Sequence, residues 1–457
     1  MYMKKTLKNT LYIFFATIAM VIQAKENVNH PGGNATTPDQ SLAFNCAAGT
    51  AQTLLDINNV KTMILNGGDM WWDLSNPKYE IPKNSGKHSL FAGSLWIGGL
   101  DDEDQLKVAA QTYRQSGNDF WPGPLDNARL TSDENLNNKY GTTNADVCSE
   151  YDYHHVITRA EVEAFLAYSN SNEPNIEFPN YSIPSSILDY PGDRKLEFQS
   201  ENSYVGYDDV VATNPYYALE TLAPYRDVNN DGKYTPSAGD YPEYNIDGTF
   251  NCQEADMLFG DQTLWWVYND KGESHTASGS LEPIGLEIQA QAFAFSTNDE
   301  INNMTFYNYE LINRGTQTLY NTYFGFFTDG ALGDPYDDYV GCDVNRGLGY
   351  YYNGDNYDGD NSGYKGYGYS PPAVGVDFFE GPYQDNDGID NAFGIGDNEA
   401  LNGIGYGDGV IDNERFGMRR FLYYSNTTNG ANPNQTDPTN ASDYYNYLRG
   451  FWKDGSK

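Results

Sequence analysis

Basic residues are scarce in this chain of 457 residues. The sequence has 27 lysines and arginines against 64 aspartates and glutamates, which gives a formal net charge of −37 at pH 7. Nucleic acids and anionic lipid surfaces both attract proteins through a basic face. The charge balance therefore excludes both as electrostatic partners.

Motifs of catalysis that depend on histidine, serine or lysine are also missing. There are five histidines, and neither an HExxH nor a GxSxG motif occurs. The Gly-rich run 403–409 lacks the lysine and the strand-then-helix setting of a phosphate-binding loop. The adjacent His154 and His155 would point to opposite faces of a strand, which disfavours a shared metal. The sequence thus indicates no catalytic residue and no organic cofactor.

Cysteines are few and far apart. Cys46, Cys148, Cys252 and Cys342 do not form the close CxxC pairs of a zinc ribbon. In an oxidising compartment they would form two disulfides, with three connectivities that the sequence does not distinguish. Unpaired buried thiols are the alternative.

The first 24 residues have the composition of a secretory signal peptide. The first ten carry three lysines and no acid, an apolar run follows from Leu11 to Ile22, and Ala24 offers a small residue for cleavage. The run is shorter than the roughly 20 apolar residues that a spanning helix needs. We therefore predict cleavage after residue 24 and a secreted or cell-surface protein without a transmembrane segment. The mature chain would have 24 basic and 64 acidic residues, a net charge of −40.

The composition favours strands and turns, because tyrosine (39 residues) and glycine (46 residues) are abundant. Apolar and polar residues alternate over most of 286–295, which predicts a strand. Further strands are predicted at 304–312 and 319–328, joined as an antiparallel hairpin by a turn at 313–316, and a short aromatic strand at 421–424. The predicted fold is mainly β, an antiparallel sandwich-like architecture with long acidic Gly/Asp loops.

One or two short helices are expected beside the strands. The clearest is signalled by Thr158 and Glu161, which form a capping box ahead of apolar residues at helical spacing. After the signal peptide we distinguish a mixed, mostly β region at 25–195 and a β-rich region at 196–457. The chain is expected to continue beyond Lys457.

An acidic loop near residue 230 has the spacing of a calcium ligand set. Oxygen side chains occupy its first, third and fifth positions, and a glycine follows, as at the start of an EF-hand loop. The loop departs from that pattern at its end, because the twelfth position is Ala238 and the next carboxylate comes two residues later. An Asn/Asp/Gly turn without an ion is the alternative. The predicted ligands are Asp227, Asn229, Asp231, Lys233, Thr235 and Asp240.

A second acidic segment, residues 366–414, has ten carboxylates and no lysine, arginine or histidine, and a similar base-free run lies between Arg314 and Arg346. Packing such loops together costs Coulomb energy unless a counter-charge is present. Oxygen ligands without histidine or cysteine favour calcium over zinc or copper. A solvated acidic face is the alternative. The predicted calcium ligands in this segment are Asp385, Asp387, Asp390, Asp408, Asp412 and Glu414.

Four phrases occur together in the sequence: NGGDMWWD (66–73), KHSLFAGSLWIGG (87–99), QTYRQSGNDFWPGP (111–124) and DYVGCD (338–343). With them, the chain resembles the N-terminal part of large exported proteins of Bacteroidetes bacteria, a family without an assigned activity. Such proteins often end in a type IX secretion sorting domain. The resemblance implies export and a surface or extracellular location, and it supplies no catalytic residues.

Two functions are consistent with these features. The first is a non-catalytic, calcium-stabilised β module with an adhesion, binding or scaffolding role toward an extracellular glycan or protein. The second is a secreted hydrolase acting on polysaccharide, with carboxylates as acid and base. Its sugar platform would consist of Trp71, Trp72, Trp96 and Trp121. A cleft with two carboxylates about 5–10 Å apart beside an exposed tryptophan would distinguish the hydrolase.

Overall fold

The computed structural model describes residues 18–25 (as backbone), 45–126, 141–193, 222–246, 257–395, 399–426 and 431–457. It confirms the predicted mainly β, sandwich-like fold. The strands in chain order are β1 (Ile18–Lys25), β2 (Gln52–Leu55), β3 (Lys61–Leu65), β4 (Asp69–Met70), β5 (Tyr79–Glu80), β6 (His88–Leu100), β7 (Leu106–Ala109), β8 (Trp121–Pro122), β9 (His155–Thr158), β10 (Tyr225–Arg226), β11 (Tyr241–Pro242), β12 (Gln262–Asn269), β13 (Leu286–Ala294), β14 (Thr305–Asn313), β15 (Tyr320–Gly330), β16 (Asp338–Asp343), β17 (Leu348–Asn353), β18 (Tyr357–Asp358), β19 (Gly368–Tyr369), β20 (Ala373–Glu380), β21 (Gly403–Ile404) and β22 (Arg415–Phe416).

The described part of the chain has five short α-helices, more than the one or two predicted. The capping box is confirmed: the Thr158 hydroxyl accepts from the Glu161 amide at 3.3 Å, and the Glu161 carboxylate accepts from the Thr158 amide at 2.9 Å. The helices are α1 (Ala145–Glu150), α2 (Arg159–Ser169), α3 (Pro174–Glu177), α4 (Ser185–Leu188) and α5 (Ala441–Leu448).

Two large sheets form the sandwich. Sheet A has nine strands in the order β16-β17-β20-β1-β14-β13-β12-β8, with β9 also paired to β12. Sheet B has seven strands in the order β15-β6-β4-β3-β2, with β5 between β3 and β6 and β7 on β6. Strands from both sides of residue 195 occur in each sheet. All pairings between named strands are antiparallel except the two made by β1.

Successive side chains of β12 show how sheet A is covered on both faces, because neighbours on a strand point to opposite sides. Trp266 belongs to the core between the sheets, together with Trp71 and Tyr307, and the Trp71 indole donates to the Tyr307 hydroxyl at 2.8 Å. Trp265 belongs to a second core on the other face, formed with α1, α2 and parts of 222–246. Both tryptophans of β12 are at most 2% exposed.

The outer face of sheet B is covered by α5. Tyr444 of this helix packs on Trp96 of β6 with ring centroids 4.7 Å apart, and Phe327 of β15 stacks on the same tryptophan at 5.4 Å. The sandwich is thus enclosed by α5 on one side and by the α1–α2 layer on the other. The helices of the described ranges include none with the length and apolarity needed to cross a membrane.

Two strand predictions were wrong. Strands β14 and β15 lie in different sheets, so residues 313–316 connect the two layers and do not form a hairpin turn. Strand β14 pairs with β13, and β15 pairs with β6, where Phe324 lies opposite Ile97. The segment 421–424 forms no strand and pairs with no strand of the described residues.

Seven of the eight residues of strand β1, 18–24, belong to the predicted signal peptide, residues 1–24. It pairs in parallel with β14 from Ile18 opposite Thr305 to Lys25 opposite Ile312, and its other edge pairs with β20. Cleavage of the signal peptide stays a prediction. If it occurs, sheet A loses an interior strand.

One disulfide is present, between Cys46 and Cys148, with Cα atoms 5.7 Å apart. It packs against Trp121 and joins the chain ahead of β2 to α1. Cys342 is exposed and has a free thiol. Cys252 lies outside the described residues. The structure therefore shows the Cys46–Cys148 pair, and a second disulfide stays a prediction.

Two of the phrases that carry the family resemblance meet in a buried polar network. The Arg114 guanidinium donates to the Asp69 carboxylate at 2.8 Å and to the carbonyl of Asn66 at 2.6 Å. The Gln111 side chain donates to the carbonyl of Gly67 at 2.9 Å. Asp69 is 1% exposed, and its pairing with Arg114 compensates the cost of burying a carboxylate. These phrases therefore have a structural role in holding the 66–73 turn against the 111–124 segment.

Candidate cation sites

The first predicted loop is held by the β10–β11 ribbon. Asp227 directly follows β10 and Asp240 directly precedes β11, and the two strands pair at Arg226 and Tyr241. This pairing brings the late carboxylate, Asp240, back to the start of the loop. Carboxylate oxygens of Asp227, Asp231 and Asp240 lie within 4.8 Å of one another. We call these three residues site 1.

Backbone amides fix the orientation of the site 1 carboxylates. Asp227 accepts from the amide of Gly232 at 2.7 Å, and this glycine has φ +74°, a conformation that a Cβ atom would strain. Asp240, which is fully buried, accepts from the amides of Val228 and Thr235 at 2.9 and 2.8 Å. The carboxylates are thereby positioned before any ion binds.

The other predicted ligands of this loop have supporting positions. The Asn229 side chain donates to Asp231 at 2.7 Å and accepts from the backbone amide of the same residue at 3.0 Å. Lys233 contributes its backbone amide, which donates to Asp231 at 2.8 Å. Thr235 likewise contributes its amide, as described above, and the side chains of these three residues are not part of the carboxylate group.

Asp193 lies beside site 1 and was missed by the sequence analysis. It accepts from the amide of Tyr234 at 2.8 Å. Burial raises the pKa of Asp193, and the charges of Asp231 and Asp240 raise it further. No spacing signal marks Asp193, because it is more than 30 positions before the loop. Its position shows that the negative potential of site 1 extends to a neighbouring segment.

The second acidic segment also forms a carboxylate group. Oxygens of Asp385, Asp387 and Asp412 lie within 4.8 Å of one another, and we call these residues site 2. Asp412 accepts from the amide of Gly388 at 2.8 Å, which joins the two halves of the segment. Burial raises the pKa of Asp385, and the charges of Asp387, Glu414 and Asp412 add to this.

Asp390 and Asp408 are not part of site 2. Asp390 accepts from the amides of Gly407 and Gly409, both at 2.7 Å. Asp408 accepts from the amide of Val410 at 2.9 Å. Both aspartates therefore stabilise the loop that carries Asp412, and their role as direct ligands stays a prediction.

Glu414 is the most informative residue of the second segment. It is 1% exposed, and one carboxylate oxygen accepts from the amide of Asn391. Its other oxygen, Oε2, is buried without a hydrogen-bond donor among the described residues, and so are the side-chain oxygens of Asn391 and Asn413. Buried acceptors without donors are costly and rare in folded proteins. A cation would provide the missing partner.

Sites 1 and 2 offer the same chemistry. Each presents three carboxylates and no histidine or cysteine in its ligand group. Bringing such charges together is unfavourable without a counter-charge. Both acidic clusters can therefore hold a metal ion through hard oxygen ligands.

A third acidic region surrounds Asp338 at the start of β16, and it should make stability pH-dependent. Burial, together with the charges of Asp337, Asp358 and Asp334, raises the pKa of Asp338 to about 7. Since this exceeds the pKa in the unfolded chain, the folded protein binds more protons between about pH 4 and pH 7. The contribution of Asp338 to stability is thus largest below pH 4 and declines as the pH rises to about 7.

We expect the Asp338→Asn variant to be more stable than the parent at pH 8 and about equal to it at pH 4. Melting temperatures in chelator at both pH values measure the difference. Buried His154, whose pKa burial lowers to about 4, acts in the opposite direction, so variant and parent must be compared at each pH. Asp104→Asn, at an exposed position, is the control. A constant difference across the range would contradict the role of Asp338.

The predicted sugar platform is contradicted by the structure. Trp71, Trp72, Trp96 and Trp121 are all at most 5% exposed. The first two fill the cores on either side of sheet B, and a platform for sugar rings needs an exposed ring face. The aromatic residues in these phrases are therefore packing residues.

The histidine pair is separated across sheet A. The His154 ring forms a hydrogen bond with the Thr53 hydroxyl at 2.9 Å and packs on Trp266. The His155 ring contacts Tyr153 and Trp265. The two rings lie on opposite faces and share no ligand group.

In comparisons with known proteins, no family model, no curated protein and no solved structure matches the chain.

Proposed function

We propose that the protein is a secreted or cell-surface β module that binds calcium for stability and serves adhesion, binding or scaffolding. The observation that carries the calcium proposal is the buried, donor-free oxygen of Glu414 beside the three carboxylates of site 2. Site 1 supports it independently, because its carboxylates are oriented by backbone amides. Export and membership of the Bacteroidetes group stay proposals that rest on the leader sequence and the four phrases.

Calcium is proposed because of the ligand chemistry. It takes six to eight oxygen ligands in flexible geometry, whereas magnesium requires a stricter octahedron and loses its water reluctantly. Three carboxylates leave room for backbone carbonyls and water in the remaining positions. Extracellular calcium modules bind with dissociation constants of about 10⁻⁴ to 10⁻³ M, which suits an exported protein.

The test is the melting temperature of the purified protein in chelator and in several millimolar calcium. A ligand that binds only the folded state adds about 2.7 kcal/mol per site at a hundredfold excess over the dissociation constant. The melting temperature should rise with calcium and less with magnesium. Asp385→Asn/Asp412→Asn should remove part of the rise, and Asp227→Asn/Asp231→Asn another part.

The matched control is Asp104→Asn/Glu163→Gln, which removes the same number of charges at exposed positions. This variant should retain the full calcium response. An identical melting curve with chelator and with calcium would overturn the calcium proposal and leave two solvated acidic loops.

Binding and hydrolysis are distinguished by measuring both on the same polysaccharides. A binding module should retain labelled protein on an immobilised extracellular glycan or protein without releasing reducing ends. Release of reducing sugars would favour the hydrolase instead. The buried tryptophans argue for the binding role, because they remove the sugar platform that the hydrolase was expected to use.

A further inference from the structure

Strand β15 is one edge of sheet B, and its outer edge borders a long groove. The groove has a volume of about 600 Å³ and follows β15 from Asn321 to Asp329. Its other walls are β17, β20, the end of α5 and the segments 399–402 and 417–424, and Asp385 of site 2 also lines it. Sheet A continues over this groove with β20, β17 and β16, whereas sheet B ends at β15. The groove thus occupies the position of one additional strand of sheet B.

The outer backbone edge of β15 borders the groove. Among the described residues, strand β15 pairs with β6 on its inner edge and with no strand on its outer edge. The contacts to its other carbonyls come from side chains: Tyr445 donates to Asn321 at 2.8 Å, and Tyr351 donates to Thr328 at 2.8 Å. Across the groove, residues 418–424 pair with no strand of the described chain. Unpaired strand edges are templates for another strand.

The walls of the groove are apolar and aromatic. Phe324 and Phe326 of β15, Tyr351 of β17 and Phe378 of β20 all pack only partly against the central core. They line the groove with their remaining surface. An extended peptide with alternating apolar side chains would complete this packing, since every second side chain would point toward sheet A.

The two ends of the groove differ in charge. At the end where β15 begins, Arg420 and Arg449 flank the ring of Phe451, each 5.0 Å from its centroid. At the other end, the Asp329 carboxylate accepts from the hydroxyl of Tyr113. Arginines are uncommon in this acidic chain, and their position at one end favours an acidic residue of the bound segment there.

We propose that this groove binds an extended segment of another polypeptide, which adds a strand to the free edge of β15. The segment would match Asn321–Asp329 in length, alternate apolar and polar residues, and place an acidic residue near Arg420 and Arg449. The occupant is a single segment rather than a second copy of the whole sheet edge, because residues 417–424 line the far side of the groove. The inference deepens the proposed binding role by naming the kind of partner.

The test uses the purified full chain and a synthetic nine-residue probe. The probe alternates valine and threonine, ends in glutamate on one side and lysine on the other, and carries a central photo-reactive benzoylphenylalanine and a fluorophore. We expect saturable binding, and cross-links that map to 321–329 or 417–424. A probe with alternate backbone amides methylated should bind at least about tenfold more weakly, because it loses several hydrogen bonds.

Arg420→Glu/Arg449→Glu should weaken binding of the probe several-fold, whereas the exposed control Arg346→Glu should leave it unchanged. No saturable binding, equal affinity of the methylated probe, or cross-links at other strands such as β14 would each overturn the proposal. Probe binding is measured in chelator and in calcium. Probe binding without any calcium response would refute the calcium proposal alone, and a calcium response without probe binding would refute only the strand-binding groove.

Discussion

Replacing Cys46 and Cys148 together by serine is expected to lower the free energy of unfolding by up to about 4.7 kcal/mol, the chain-entropy value for a closed loop of about 100 residues. The two cysteines are 102 positions apart, so their cross-link restricts a long stretch of the unfolded chain. It also fastens the segment ahead of β2 to α1 and packs on Trp121. Urea unfolding followed by circular dichroism measures the loss as a lower midpoint.

The exposed free thiol provides the control for this double variant. Cys342→Ser should unfold at the same urea concentration as the parent, because the exposed Cys342 thiol forms no disulfide among the described residues. Reducing agent should destabilise the parent and leave the double serine variant unchanged. Equal midpoints of parent and double variant would show that the Cys46–Cys148 bond does not contribute to stability.

Replacing Arg114 by methionine should destabilise the protein by about 3–5 kcal/mol, the usual cost of leaving a buried charge without its partner. Asp69 is 1% exposed and accepts from both Nε and Nη2 of Arg114, at 3.1 and 2.8 Å. Methionine fills much of the volume of the arginine stem but donates no hydrogen bond. The Asp69 carboxylate then keeps the Trp72 indole as a donor at 3.0 Å but loses its charged partner, and the carbonyl of Asn66 loses the arginine donor.

The matched control for Arg114→Met is Arg346→Met. Arg346 pairs with Asp343 at 3.4 Å, but the two side chains are 80% and 42% exposed, and such surface pairs contribute about 0–1 kcal/mol. A double-mutant cycle with Asp69→Asn isolates the interaction, since neighbouring residues do not add independently. If Arg114→Met and Arg346→Met lower the free energy of unfolding equally, the buried network contributes no more to stability than an exposed ion pair.

Local features of the fold were accessible from the sequence, whereas the choice of sheet was not. The capping box of Thr158 and Glu161 depends on four neighbouring residues, and it was predicted correctly. The turn at 313–316 looked equally local, but the partner of β15 is β6, more than 200 positions away. Alternation identifies a strand and does not identify its neighbour, so the hairpin prediction failed there.

The candidate sites show the same difference between features of one local segment and features that depend on the folded chain. The ligand spacing of Asp227 and Asp231 is a property of one loop, and the sequence indicated it. Asp193 lies beside that loop only because the chain returns there, and the buried oxygen of Glu414 is defined by its surroundings. Burial and the absence of donors are properties of the folded chain that no sequence motif contains.

The position of β1 has a consequence for the timing of biosynthesis. Ile18 pairs with Thr305, and the other neighbour of β1, β20, begins at Ala373, so both partners leave the ribosome long after the leader. Parallel pairing between such distant segments is also slow to form. If residues 1–24 act as the predicted signal peptide, they would be available to an export machinery before either partner strand has been synthesised. Under that prediction, translocation and the folding of sheet A would compete for residues 18–24, and the order of synthesis would give translocation the earlier opportunity.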